Sequence, residues 1–182
     1  MKQLTHLDLR NTGITKKSAE LISNELPKLT YLNISYNDIR NEGAKYLSEM
    51  KQLTALEVYE IYLDIEGLSY LTELKQLTKL NVNTNLFGVE GCKIVSGMKQ
   101  LKELWINEND IGDEGVKYLC ELKSLTSLHL EENNIGVEGV KSLCSANLSH
   151  LATLEIRDNQ LIEDDYQLFE SMPQLIDLSL EW

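Results

Sequence analysis

The sequence contains little proline, little cysteine and few aromatic residues. Its 182 residues include 2 Pro and 3 Cys, and Phe, Trp and Tyr together make up 7%. No stretch approaches the roughly 20 apolar residues that a membrane-spanning helix needs. The N-terminus also lacks the basic and then apolar order of a secretory signal. We therefore expect a soluble, intracellular chain.

The three cysteines do not form a disulfide framework or a zinc motif. Cys92, Cys120 and Cys144 are odd in number and show no C-x-x-C spacing, so we expect free thiols in a reducing compartment. The chain also has no metal-ligand motif, no phosphate-binding loop and no dinucleotide fingerprint. The sequence predicts neither a metal nor a cofactor.

Basic residues are scarce relative to acidic ones. There are 17 Lys and Arg against 29 Asp and Glu, which gives a formal net charge of -12. Phosphate backbones and anionic membranes repel such a chain. The composition therefore disfavours nucleic acid and membrane surfaces as partners.

The sequence is dominated by a repeat of about two dozen residues. Each repeat opens on a leucine and carries apolar residues three and five positions later, and this alternation predicts a short strand with one buried face. The opening leucines are Leu4, Leu29, Leu53, Leu77, Leu101, Leu125, Leu151 and Leu175. Eight positions after the start, five repeats have an asparagine, namely Asn37, Asn85, Asn109, Asn133 and Asn159.

The second half of most repeats changes to helical spacing. Apolar residues recur three or four positions apart after a glycine, which predicts a short helix following Gly43, Gly67, Gly91, Gly115 and Gly139. The combined pattern L-x-x-L-x-L-x-x-N-x-I resembles the leucine-rich repeat family. The motif N-x-I-G-x-E-G, at Asn109 to Gly115, is similar to that of the ribonuclease-inhibitor-like branch, which has 24-residue repeats in its shorter form.

The resemblance implies an α/β fold, a right-handed solenoid with a parallel sheet and short helices. Parallel strands lie about 4.8 Å apart and packed helices about 8 to 10 Å apart, so we expect strands on a concave face and helices on a convex face. We predict one domain over residues 1–182, with about seven repeats, a terminal strand and no obvious caps. The resemblance also implies that the asparagine side chains bond the turns leaving the strands as a ladder.

The chain begins with Met1-Lys2-Gln3-Leu4, and the same four-residue segment recurs in mid-chain at Met50-Lys51-Gln52-Leu53. Three interpretations follow: a fragment of a longer repeat protein, a naturally minimal chain, or a chain that self-associates through its uncapped ends.

The outward-facing strand positions are candidates for binding, because they have no predicted role in the core. Tyr and Trp at such positions are typical of binding hot spots, and carboxylates steer basic partners. The predicted anchors are Tyr31, Tyr36, Tyr59, Tyr62 and Trp105. The predicted steering and flanking residues are Glu57, Glu103, Glu108, His129, Glu131, Glu132 and Asp158.

The third repeat departs from the pattern, because Ile61 stands where the asparagine belongs. Thr12 does the same in the first repeat, so we expect the ladder to be interrupted at both places. One interpretation is that Ile61 buries itself and the nearby tyrosines lie on their neighbours. The other is an apolar recognition patch around Tyr59, Tyr62 and Leu86 at the strand-exit rim.

These patterns together predict a non-enzymatic module that binds another protein, one with a basic or mixed basic and apolar surface. Two alternatives remain from other classes. One is the repeat region of a larger enzyme or regulator, such as a ubiquitin-ligase substrate receptor or a GTPase activator. The other is a self-assembling structural solenoid, with calcium binding by the acidic face as a variant.

Overall fold

The structure, a computed structural model, describes residues 2–180. It groups into two compact units, the first ending at Asn85 and the second starting at Leu86. In both units short strands alternate with helices along the chain. The prediction of a single domain remains a prediction.

The first unit contains four parallel strands that pair in chain order. The strands are β1 (His6–Asp8), β2 (Tyr31–Asn33), β3 (Ala55–Glu57) and β4 (Lys79–Asn81), and the helices are α1 (Lys16–Glu25), α2 (Arg40–Leu47) and α3 (Ile65–Leu71). Strand pairing places Leu7, Leu32, Leu56 and Leu80 side by side. The last three are at most 1% exposed, so the stacked leucines form the core, as the alternation predicts.

The second unit repeats this arrangement. Its strands are β5 (Glu103–Trp105), β6 (Ser127–His129), β7 (Thr153–Glu155) and β8 (Asp177–Ser179), and its helices are α4 (Gly88–Val95), α5 (Gly112–Leu119), α6 (Val137–Ser145) and a 3₁₀ helix, Glu163–Ser171. The strands pair in parallel from β5 to β8. Asp165 replaces the repeat glycine within the 3₁₀ helix, which takes the place of an α-helix in this repeat.

The helices begin before the repeat glycine, so the prediction that they follow it is wrong. Gly43 and Gly115 both lie inside helices, in α2 and α5. A Cβ on Gly43 would lie 2.3 Å from Ile39 Cγ2, far closer than atoms pack. A Cβ on Gly115 would lie 2.8 Å from Ile111 Cβ and 3.0 Å from Cys92 Sγ. The glycine therefore marks close packing within the first turn of the helix.

The asparagine ladder predicted from the resemblance is present. Asn159 Nδ2 donates to Leu130 O in the preceding repeat and to Ile156 O in its own, both at 2.9 Å. Its Oδ1 accepts from the backbone N–H groups of Asn133 and Ile135 at 3.0 and 2.9 Å. Comparable side-chain bonds to backbone groups are made by Asn37, Asn85, Asn109 and Asn133.

The ladder lacks a side-chain amide at Thr12 and at Ile61, which stand where the asparagine belongs. Ile61 is fully buried and offers neither a donor nor an acceptor to the turn of the preceding repeat. Thr12 keeps part of the bonding, because its Oγ1 donates to Leu9 O at 2.6 Å and its backbone N–H donates to Asn37 Oδ1 at 3.2 Å. The threonine side chain thus keeps one hydrogen bond to the backbone, whereas the isoleucine side chain makes none.

The helices between residues 2 and 180 are too short or too polar to cross a bilayer.

Candidate functional site

Two tyrosines from neighbouring repeats pack together on the outward side of the strands in the first unit. Tyr36 follows β2 and Tyr59 follows β3, with ring centroids 4.6 Å apart and planes at 55°. Tilted pairs at this distance are a favoured aromatic arrangement. Both residues are half-buried, so part of each ring faces solvent. The structure brings together two of the predicted anchors.

Arg10 covers part of this pair. Its Cζ lies 4.8 Å from the Tyr36 ring centroid, which is cation–π distance. Its backbone N–H donates to Asp8 Oδ1 at 2.9 Å. Arg10 is not among the residues predicted from the sequence, although it occupies the same position in its repeat as Tyr59. The first repeat therefore contributes a cation to the aromatic surface.

Tyr31 is tied to an acidic residue on the next strand. Its hydroxyl donates to Glu57 Oε1 at 2.8 Å. Burial, and then this bond to the carboxylate, raise the pKa of Tyr31 to about 12. The His6 ring stacks on Tyr31 with centroids 5.8 Å apart. Glu57, predicted to steer a partner, thus has an internal role as well.

Tyr62 differs from Tyr59 in its exposure and its backbone conformation. It is 66% exposed and has a φ of 61°, in the left-handed region that bulky residues rarely adopt. Ile61 beside it is fully buried, so the apolar patch at the rim cannot include Ile61. Leu86, in the second unit, combines 80% exposure with a φ of 58°. Ile61 is thus buried, as the first interpretation of the third repeat expects, and the recognition patch around Tyr59, Tyr62 and Leu86 stays a prediction.

In the second unit, Trp105 stacks on His129 from the next strand. The ring centroids are 4.7 Å apart and the planes lie 14° from parallel. His129 is only 7% exposed, because Trp105 lies over its ring. The expectation that outward strand positions are free of burial is therefore wrong at His129. It is also wrong at Asn33, Ser35 and Asn107.

His129 is also contacted on both ring nitrogens. Ser127 Oγ lies 2.8 Å from Nε2, and Glu155 Oε2 lies 2.8 Å from Nδ1. The contact with Glu155 is close but lacks hydrogen-bond geometry at Nδ1. We call these three residues and Trp105 the Trp105 clamp.

The order Ser127, His129, Glu155 is that of a hydrolase triad. A hydrolase also needs N–H groups directed at an oxyanion. The Ser127 N–H instead donates to Lys102 O at 3.1 Å, and strand pairing places Glu103 beside Ser127. A carboxylate at that position opposes a developing negative charge. The arrangement thus lacks the electrostatics of acyl transfer.

Glu131 is neutralised within the protein. Its Oε1 accepts from Arg157 Nε at 2.6 Å and its Oε2 accepts from Asn107 Nδ2 at 2.8 Å. The Arg157 terminal nitrogen also contacts Oε1. Glu131 therefore contributes less net charge to the strand face than the sequence suggests.

The other predicted acidic residues differ in exposure. Glu132 and Asp158 are exposed, whereas Glu103 and Glu108 are half-buried. Carboxylates at the surface interact with a basic partner at longer range than neutralised ones do. Within the second unit, Glu132 and Asp158 are therefore the strongest candidates for steering.

One backbone feature of these sites is not predictable from the sequence. Tyr36, Glu108, Glu132 and Asp158 occupy one repeat position and have φ values of 57°, 55°, 52° and 54°. Side chains other than Gly, Asn and Asp rarely adopt this conformation. Because most repeats lack those residues here, no local sequence signal indicates it. The bond from Tyr36 N–H to Tyr59 O, 2.9 Å long, holds one such turn.

The cysteines carry no chemistry that the structure supports. All three are free, as the sequence predicts, and Cys92 is fully buried in the core. Burial raises the pKa of Cys92 to about 12 and that of Cys120 to about 11, which keeps both as unreactive thiols. Among residues 2–180, no group of His, Cys, Asp and Glu side chains is arranged to hold a metal ion.

Comparisons with known proteins agree with this architecture. An internalin (inlF) from Listeria monocytogenes is 26% identical and superposes with a TM-score of 0.70, over 86% of this chain and 42% of the internalin. An internalin C2 (inlC2) from the same organism superposes with a TM-score of 0.71 over 97% of this chain and 80% of its own, and at 21% identity it shows the fold alone. This chain thus spans less than half of the inlF structure.

No curated protein matches the sequence. A family model described as "Leucine Rich repeat" matches residues 2–23, 25–48, 99–120 and 121–144, which is about half of the chain. Repeat proteins of this kind are generally interaction modules and typically not enzymes. From its repeats, its ladder and this match, the chain belongs to the leucine-rich repeat family.

Proposed function

We propose that this protein binds another protein through the outward side of its strands. The observation that carries the proposal is the pair Tyr36 and Tyr59, whose rings pack 4.6 Å apart outside the leucine core. Aromatic rings that are fixed in place and partly open to solvent are typical hot spots, since they lose little entropy on binding. The pair therefore supplies an apolar contact point in the first unit.

The second unit supplies a different contact. Trp105 is half-buried against His129, and Glu132 and Asp158 are exposed. An aromatic ring near carboxylates suits a lysine or arginine side chain, because both the ring and the acids attract a cation. We infer a partner with a basic or mixed basic and apolar surface. We also propose an intracellular location, which the three free cysteines support.

Affinity capture with the intact chain tests this proposal. The double variant Tyr59→Ala with Trp105→Ala removes one ring from each unit, and we expect partners retained by the wild type to be lost. The control is Tyr70→Ala, because Tyr70 lies on helix α3 and bonds Glu66 there. Equal capture by wild type and double variant would contradict the proposed surface.

Salt dependence tests the acidic part separately. We expect the association rate with a captured basic partner to fall as salt rises from low to physiological strength. The double variant Glu132→Gln with Asp158→Asn should weaken that dependence without changing the fold. An association rate that is insensitive to salt in the wild type would rule out electrostatic steering.

The second candidate function is the repeat region of a larger enzyme or regulator. The coverage of only 42% of the inlF structure favours it, because repeats of this kind also occur as parts of longer chains. Activity assays on the intact parent gene product distinguish this candidate from an autonomous binding module.

A further inference from the structure

The Trp105 clamp contains His129, a histidine that is buried against an aromatic ring on the strand face. His129 stacks under Trp105 with 14° between the planes. Its exposure of 7% contrasts with His6 and His150, which are both exposed. A change in charge at His129 therefore acts directly on Trp105.

The groups that face His129 from each neighbouring strand are mostly acidic or polar. Trp105 and Glu103 belong to β5, and Ser127 lies on the same strand as His129. Glu155 on β7 pairs directly with His129 in the sheet register. Arg157, a cation of the same face, is held by Glu131, which follows β6. Protonation of His129 would thus place a new positive charge beside Glu155 and under the indole.

We propose that His129 is a positioning residue for Trp105 and that its protonation regulates binding of a basic partner by the second unit. The neutral ring keeps the strand face at its most acidic while it supports the indole. The protonated ring stays in the stack, where the indole attracts it, and it pairs with Glu155. The face then has one more positive charge and holds a cationic partner less tightly. The part on affinity rests on the proposed function.

A pH titration of the indole N–H resonance by NMR tests the clamp without any partner. Trp182→Phe gives a chain with Trp105 as its single tryptophan. We expect the Trp105 resonance to shift when the buffer is acidified, because a charge on His129 lies directly under the indole, and to stay constant when His129→Gln is added. A resonance that is constant in both, or shifts equally in both, would overturn the proposal.

Glu155→Gln provides a second variant in case His129→Gln fails to fold. It removes the carboxylate that lies 2.8 Å from Nδ1 and keeps the ring stack. Loss of a neighbouring negative charge disfavours protonation, so the shift of the indole resonance should move to lower pH. An unchanged midpoint would show that Glu155 has no role in the clamp.

Binding of a ten-residue lysine peptide tests the regulation. We expect the affinity of the wild type to fall about three- to tenfold from about pH 8 to about pH 5.5, and that of His129→Gln to change much less. Surface carboxylates stay ionised in this range. An equal fall in both proteins would overturn the regulation. Absence of binding at either pH, with a normal indole titration, would contradict the proposed function and leave the positioning role of His129 intact.

Discussion

Asn133 donates its side-chain amide to Ile106 O at 2.9 Å, joining two repeats across 27 positions of the chain. Its Nδ2 also donates to Glu131 O at 3.0 Å, and its Oδ1 accepts from Asn109 N–H at 2.9 Å. One fully buried side chain thus satisfies backbone groups of two turns. The ladder is therefore a set of bonds between repeats, whereas the leucines provide the apolar core.

Asn133→Ala should lower the free energy of unfolding by about 2–4 kcal/mol, because three hydrogen bonds are lost and buried backbone groups lose their partner. Urea denaturation measures the change. Asn24→Ala is the control, since Asn24 is exposed on α1, and it should change stability by less than about 0.5 kcal/mol. Similar losses in both variants would show that the ladder adds no special stability.

Ile61→Asn should cost less stability than Ile61→Ala. The alanine variant leaves a cavity where a fully buried side chain stood, a loss of about 2–5 kcal/mol. The asparagine variant loses the same apolar burial, but its amide can bond the turn of the preceding repeat as the other ladder asparagines do. Urea midpoints of the two variants decide the order, and an asparagine variant less stable than the alanine variant would refute the expectation.

Tyr59→Ala should destabilise the fold by about 1–2 kcal/mol, because the ring contact with Tyr36 and its apolar burial are lost. The matched control is Tyr62→Ala in the same repeat. Tyr62 is 66% exposed, so its truncation should change the unfolding free energy by less than about 0.5 kcal/mol. Thermal and urea unfolding provide the measurement, and equal effects would mean that the Tyr36–Tyr59 contact is not stabilising.

Tyr62→Asn should raise stability by about 0.5–1 kcal/mol, because asparagine tolerates the left-handed backbone that Tyr62 adopts with a φ of 61°. Tyr70→Asn should do the opposite, since Tyr70 lies in helix α3 and donates to Glu66 Oε1 at 2.7 Å. If Tyr62 also contacts the partner, the stabilised variant should bind more weakly. A drop in stability for Tyr62→Asn would argue against backbone strain at this residue.

Ionisation of the Tyr31 hydroxyl should lower the free energy of unfolding at alkaline pH. Its pKa is about 12 in the folded protein and about 10 in an unfolded chain. Between these values the folded state binds more protons than the unfolded state, so the free energy of unfolding decreases as pH rises. Below about pH 10 the contribution is fully present. Urea unfolding near pH 9 and near pH 11.5 should show a smaller loss for Tyr31→Phe than for the wild type.

Much of the architecture is predictable because it depends on local periodicity. The leucines of β2, β3 and β4 alternate with period two, and the structure buries them side by side. The asparagine ladder follows from recurrence at a fixed repeat position. The start of the helices was less predictable, because the repeat glycine marks close packing inside the first turn and gives no signal of where that turn begins.

The sequence predicts which residues belong to the candidate surfaces, but it predicts their contacts and their exposure less well. Sequence position identifies Trp105, Tyr36 and Tyr59 as outward-facing. It does not show that Trp105 covers His129, that Arg157 neutralises Glu131, or that Arg10 lies over Tyr36. Those contacts join side chains of different repeats, and their geometry depends on rotamers that the alternation of apolar and polar residues does not determine.

The sequence by itself determined the repeat, the strand core and the positions that carry variable side chains, because each depends on spacing along one chain. Only the tertiary structure decided which outward residues are exposed and which are already paired. Stacking repeats places side chains about two dozen residues apart within contact distance, and there burial and charge act between neighbours rather than along the sequence.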